Sequence, residues 1–251
     1  METGPQPVEI LAIGAHPDDI EIGCAGSLAK LTAQGRTVGL ADLTRGEMGS
    51  RGSGDIRLAE SHRAADILSA RFRTNLGMPD TRVLVCEENE KKIVELIRRT
   101  RPRLLLVPML GETHPDHTAC AELCLSAWHK SGFGRYASPL PPFRPERIIH
   151  YMLGVEFEPS FVVDITSVIE SRRQALQAYE SQFHNAHSDR FTGATRLSSP
   201  DYWDKLETRV KYFGNRILKH FGEPFRIKEY AEVSDLSTLS DAFSPFKDPR
   251  P

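Results

Sequence analysis

Apolar positions fall in short continuous runs separated by stretches with helical spacing. Residues 8–14 (VEILAIG) are almost wholly apolar and end on glycine, the pattern of a strand buried on both faces of a parallel sheet. Residues 23–34 set Leu28 and Leu31 among alanines and predict a helix stopped at Gly35. A second strand is expected over 37–43, a second helix over 56–70 and a third strand over 73–76. Residues 88–99 place Ile93, Val94, Leu96 and Ile97 on one face of an amphipathic helix. Residues 103–108 form the clearest buried strand, with a helix over about 117–129 behind it. Strand and helix in alternation argue a mostly parallel α/β sheet with helices on both faces.

Beyond Ser131 the rhythm loosens. Pro139, Pro141, Pro142 and Pro145 mark a long connection, followed by strands at 147–153 and 161–165 and helices at 166–182 and 200–221. Residues 1–233 therefore read as one domain with a C-terminal helical extension, and 234–251 as an irregular tail whose Phe243 and Phe246 could dock on a neighbour. No repeat or low-complexity block interrupts this order.

The chain has 251 residues, with 32 Lys and Arg against 34 Asp and Glu. That balance excludes a nucleic-acid binder held by bulk charge. No apolar run approaches a membrane span, and the N-terminus carries no secretory pattern, so a cytoplasmic protein is expected. Cys24, Cys86, Cys120 and Cys124 sit in apolar or helical segments, as reduced thiols do. No phosphate-binding glycine fingerprint and no nucleophile elbow occurs, and the glycines of 46–54 form a loop. His62, His129, His150, His184, His187 and His220 read as surface or helix residues.

Chemistry concentrates in two loops. Ala15-His16-Pro17-Asp18-Asp19 follows the first strand, and Thr113-His114-Pro115-Asp116-His117 follows the strand ending at Pro108. In an open parallel sheet both loops leave the carboxyl edge, where ligands collect. Two nitrogen donors and one oxygen donor converging there make a three-ligand site with an open fourth position, as in catalytic zinc. Asp19 can bind metal while Asp18 faces the open position as a general base. His114 can meet a developing oxyanion or a leaving amine, and Asp116 could orient its imidazole and keep it protonated.

These loops resemble those of the PIG-L (LmbE-like) family of zinc-dependent N-deacetylases. Residues 42–52 (DLTRGEMGSRG), 75–80 (NLGMPD) and 179–183 (YESQF) are similar to its bacillithiol-biosynthesis branch, and the likeness runs over about 10–222. Two segments depart from the relatives, Ile20-Glu21 after the paired aspartates, where many have glutamate directly, and Thr113, where close relatives often have arginine. The resemblance implies a Rossmann-like fold with Zn²⁺ on His16, Asp19 and His117, although such a donor set also accepts Fe²⁺, Co²⁺ or Mn²⁺. It implies Asp18 as base, His114 as oxyanion stabiliser and proton donor, Arg57 as a substrate grip and Asp80 as an acid near the sugar. Glu47, Arg51, Tyr179 and Gln182 lie in the branch segments as supporting residues.

The activity implied is removal of acetate from an N-acetylglucosaminyl compound, N-acetylglucosaminyl-malate foremost. Chito-oligosaccharides, mycothiol-type conjugates and bacillithiol S-conjugates are alternative substrates, and a non-catalytic sugar-binding module is the alternative outside enzymes. The partner expected is a small N-acetyl amino sugar, with no nucleic acid and no membrane. The resemblance, the Pro-rich connection and the tail favour a homo-oligomer, a hexamer among the options.

Overall fold

A computed structural model describes residues 4–183, 191, 193–230, 232, 234 and 235. Its strands are β1 (Ile10–Gly14), β2 (Val38–Asp42), β3 (Phe72–Asn75), β4 (Leu104–Pro108), β5 (Arg147–Tyr151), β6 (Phe161–Asp164) and β7 (Gly222–Arg226). They form one sheet in the order β3-β2-β1-β4-β5-β7-β6. Every neighbouring pair from β3 to β5 is parallel, and β7 alone runs against both its neighbours. β1 and β2 are buried at all five positions, which is why their runs lack polar alternation.

The helices are α1 (Asp19–Ala33), α2 (Gly54–Ile67), α3 (Glu87–Thr100), α4 (Pro115–Lys130), α5 (Ile169–Gln177) and α6 (Pro200–Arg216). Two apolar clusters lie on opposite faces of the sheet. One takes Leu28 of α1, Ala64 of α2, Leu176 of α5 and Leu206 of α6, and the other takes Ile93 of α3 and Leu123 of α4. The parallel sheet with helices on both faces expected from the apolar blocks is present.

Three elements differ from the sequence reading. α1 begins at Asp19 rather than 23, because its polar first turn is buried and partnered instead of solvated. The helix expected over 166–182 is a 3-10 turn, Thr166–Val168, followed by α5, and the chain then turns through Tyr179 and Gln182. β7 went unread because Gly222-Glu223-Pro224 has no apolar period. Glu223 is nonetheless buried, accepting the Gly26 and Ser27 N–H groups at 2.9 and 2.7 Å.

Two contacts fix α1 over the sheet. A Cβ on Gly23 would stand 2.2 Å from the Tyr151 ring, so only glycine lets the helix approach β5 so closely. The Tyr151 hydroxyl donates to the Ile13 carbonyl at 2.8 Å, tying β5 across to β1. Glu21, in the first turn of α1, is fully buried against Arg73 of β3, which also holds Asp42 of β2, while the Tyr179 hydroxyl donates to Glu21 at 3.0 Å. Burial pushes the Glu21 carboxyl up, and Arg73 works against that rise without cancelling it.

Cys24, Cys120 and Cys124 are buried free thiols, whereas Cys86 is exposed at the N-cap of α3 rather than embedded. His150 is buried in β5 with Nδ1 2.9 Å from the Pro108 carbonyl, so it is a satisfied core residue. His184, His187, Phe243 and Phe246 lie outside the described residues. Among the described residues no helix is long and apolar enough to cross a membrane.

Arg73→Met leaves Glu21 and Asp42 buried without their cation. It should cost about 3–5 kcal/mol in urea unfolding, and a loss below about 1 kcal/mol would show that the network is not a structural tie.

Candidate active site

The turn after β1 separates two adjacent carboxylates by backbone conformation. Asp18 has φ 108° and ψ −25°, a positive φ that a non-glycine residue holds only when its surroundings over-determine it. Asp19 then opens α1, and its Oδ2 accepts the Ala15 and His16 N–H groups at 3.0 and 2.9 Å. Its Oδ1 is left facing His117 Nε2 at 3.1 Å. The second loop is built in a similar way: His114 is the N-cap of α4, Pro115 opens the helix, and His117 projects from its first turn.

Parallel pairing of β1 with β4 brings these loops together. His16 Nδ1 lies 3.2 Å from His117 Nε2 and 3.6 Å from Asp19 Oδ2. With ligand bonds of about 2.0–2.1 Å, two donors on a tetrahedral ion stand about 3.3 Å apart, which the His16–His117 and His117–Asp19 Oδ1 separations match, while the 3.6 Å contact of His16 is to the other Asp19 oxygen. The remaining His16 nitrogen, Nε2, faces Asp80 Oδ1 at 3.2 Å and Asp116 Oδ2 at 3.3 Å. A proton held there by carboxylates leaves the Nδ1 lone pair for a cation, the arrangement that orients metal-binding histidines. The donor set therefore fits a divalent metal. A His114 nitrogen also lies within 4.8 Å of donors on His16 and His117.

The electrostatics divide the two aspartates. Burial raises both, but His117 and His16 overcome it at Asp19 and hold that carboxyl well below its usual range. At Asp18 burial prevails over the opposing Arg57 guanidinium, and the carboxyl is pushed up to about 7. Burial opposes protonation of His16, yet its bonds to Asp116, Asp19 and Asp80 raise it well above the ordinary imidazole value. Burial also opposes protonation of His117, but the Asp19 charge raises it.

Several expected roles change. Asp116 does not orient the His114 ring through its carboxylate, which goes instead to His16 and to the Thr81 and Val83 N–H groups. Its backbone N–H donates to His114 Nδ1 at 3.2 Å, so the proton of His114 resides on Nε2. Burial and the neighbouring His16 and His117 lower the His114 pKa, against the protonated imidazole expected. Arg57, expected to grip substrate, donates to Asp18 Oδ2 at 3.0 Å and to the Pro17 and Gly46 carbonyls. Asp80 lines the cleft but is engaged by His16 and by the Met48 N–H, and despite burial these hold it at about 2.

The supporting residues tie loops together. Glu47 accepts the Asp80 N–H at 3.0 Å, Arg51 donates to the Ser181 and Gly193 carbonyls, and the Gln182 amide donates to the Arg51 carbonyl. Tyr179 belongs to the Arg73 network behind the site. The cleft they frame has a volume of about 420 Å³ and includes Asp18, Arg57, Asp80, His114 and His117. Glu112, Leu153, Arg196 and Tyr202 also line it and were not singled out from sequence. Glu112 was the most legible of these, standing two residues before His114. Its carboxylate accepts the Gly154 and Val155 N–H groups and fixes the far wall.

Residues 11–128 match the model of the family described as PIG-L, GlcNAc-PI de-N-acetylase. The diacetylchitobiose deacetylase of Thermococcus kodakarensis is 34% identical over 195 residues, covering 70% of each chain. The chain belongs to the PIG-L family. A second PIG-L relative, the probable N-acetyl-alpha-D-glucosaminyl L-malate deacetylase 2 of Bacillus subtilis, is 29% identical over 69% of this chain and 82% of its own. The crystal structure of the conserved protein TT1542 from Thermus thermophilus superposes with a TM-score of 0.82 and 35% identity, over 90% of this chain and 97% of that one.

Zn²⁺ should raise the melting temperature of this PIG-L protein, and His117→Ala should abolish the rise. Asp116→Asn removes an outer partner of His16 and should weaken Zn²⁺ binding about 10–100-fold, measured by competition with a chelating dye. Unaltered affinity in both variants would place the metal elsewhere.

Proposed function

We propose that this chain is a metal-dependent hydrolase that removes the N-acetyl group from an amino sugar, with Asp18 as its general base. The carrying observation is the Asp18 carboxylate, buried, held by Arg57 at 3.0 Å and adjacent in the chain to Asp19 of the His16, Asp19 and His117 donor set. A positioned carboxylate beside a site for a cation and its water is the arrangement a general base requires, and burial raises its pKa toward that use. The names of both sequence relatives support the substrate, since each describes loss of acetate from a glucosamine unit.

His16, Asp19 and His117 would hold the cation, Zn²⁺ suiting the two nitrogens and one oxygen, with Fe²⁺, Co²⁺ or Mn²⁺ as substitutes. When bound, the ion supplies Lewis acidity toward water and the amide carbonyl. Asp18 takes a proton from water as the water oxygen bonds to the acetyl carbon and the carbonyl electron pair moves onto oxygen. His114 donates its Nε2–H to that oxygen as a neutral imidazole, its Nδ1 being fixed by the Asp116 N–H. Collapse breaks the C–N bond, the proton passes from Asp18 to the sugar nitrogen, and acetate leaves. Asp18 thus serves both proton transfers, a role the lowered pKa of His114 favours over delivery by imidazolium.

N-acetylglucosaminyl-malate is one candidate within this class. Its two carboxylates would call for a free guanidinium, and Arg57 is engaged by Asp18 and two carbonyls.

Asp18→Asn should keep Zn²⁺ binding and lower kcat about 10²–10⁴-fold in an acetate-release assay. Turnover within tenfold of the parent would sink the assigned base. Arg57→Met removes the positive charge that favours the Asp18 carboxylate, so the Asp18 pKa rises and the base form needs a higher pH. The acid limb of kcat/KM should move about one unit toward alkaline pH. An unmoved limb with a raised KM for an acidic substrate would return Arg57 to direct substrate contact.

A further inference from the structure

α1 is broken inside its own length. Cys24 has φ −152° and ψ 15°, outside the helical region, so a first turn over 19–23 meets the rest of the helix at a kink. An uninterrupted α-helix would join the Ile22 carbonyl to the Gly26 N–H, its i, i+4 pair. Here the Ile22 carbonyl accepts from Arg209 Nη2 of α6 at 2.6 Å, and the Gly26 N–H donates to Glu223 Oε1 of β7 at 2.9 Å. The Ser27 N–H, next in line, donates to the other Glu223 oxygen at 2.7 Å. Two side chains from distant elements thus take the two halves of one ladder bond, and the buried Glu223 carboxylate caps the helix that restarts after Cys24.

Each partner is itself held. Arg172, fully buried, sets its Nε 3.4 Å from Glu223 Oε1. A Cβ on Gly26 would stand 3.0 Å from the same oxygen and 2.8 Å from Ile165 Cδ1, so only glycine lets the carboxylate reach the backbone there. Arg209 donates through Nη1 to the Leu153 carbonyl at 2.6 Å, and both residues whose carbonyls it takes, Ile22 and Leu153, line the active cleft.

The kink sets the direction of the turn that carries Asp19. That turn is about 7.5 Å long at 1.5 Å per residue, so a rotation of about 20° at Cys24 would carry Asp19 about 2.6 Å, more than a metal–ligand bond.

We propose that Arg209 and Glu223 are positioning residues for the metal centre, holding α1 broken at Cys24 so that its first turn brings Asp19 to His16 and His117. This rests on the metal-dependent reading of the site, and the test separates it from the deacetylase chemistry.

Zn²⁺ affinity is measured by competition with a chelating dye, and the visible d–d band of the Co²⁺-loaded protein reports the geometry at the ion. Arg209→Met and Glu223→Gln should each weaken Zn²⁺ binding about tenfold, the low end of the loss on removing an outer partner of a ligand, and should shift the band. Glu223→Gln keeps the size of the side chain but offers one backbone N–H a donor in place of an acceptor, and it decides the matter if Arg209→Met does not fold. Ile93→Ala, in the core on the other face of the sheet, is the control. It should lower Tm by about 5–15 °C and leave both metal readouts as in the parent. Affinity within threefold of the parent and an unmoved band in either folded variant would make the pair a structural tie alone and overturn the proposal, as would an equal loss of affinity in Ile93→Ala. A parent that binds no Zn²⁺ overturns both the proposal and the metal-dependent reading. If the parent binds Zn²⁺, both variants weaken it and N-acetylglucosamine compounds release no acetate, the positioning role stands and the deacetylase reading fails.

Discussion

The parallel pairing of β1 with β4 is the constraint on which the site depends. Ile10 opposes Leu104 and Ala12 opposes Leu106, so the strands end side by side and release their loops at one edge. His16 and His117, 101 positions apart, thereby bring ring nitrogens to 3.2 Å. A slip of one residue would move one loop by about 3.3 Å along the strand, as much as the donor separation itself. It would also turn every side chain of β1 to the opposite face. The apolar burial that fixes the register therefore fixes the donor triangle.

The two carboxylates on the first of those loops show how little chemistry is intrinsic to a residue type. Asp18 and Asp19 are adjacent and both buried, and burial pushes each toward the neutral acid. Asp19 has two histidines and two backbone N–H groups in compensation, whereas Asp18 has one guanidinium. The positive φ at Asp18 is what divides them, aiming one carboxylate at the donor triangle and the other at Arg57. Such strain persists because the chain that follows is anchored: Asp19 is bonded to its own loop, and Glu21 is gripped by Arg73 from beneath.

Charged residues around the centre serve one another before they serve a ligand. Asp80 and Asp116 converge on one nitrogen of His16, Glu47 holds the backbone at Asp80, and Arg57 holds Asp18.

The parallel sheet, its helices and the two loops could be read from the chain, because continuous apolar runs force strands inside and two histidine- and aspartate-bearing turns fall at the ends of two such strands. His16, Asp19 and His117 were nameable on that basis, and the structure brings them together. Partnership was not legible. Which carboxylate faces His16, whether Arg57 points to substrate or to Asp18, and where the proton of His114 sits all depend on atoms that folding brings within about 3 Å from distant segments. β7 was hidden for a related reason, since its glycine, proline and buried glutamate are stabilised by what they touch and not by any period. Local pattern determined the scaffold and the donor types, while the tertiary structure decided the pairing of charges, because hydrogen bonds and ion pairs are set by proximity in space.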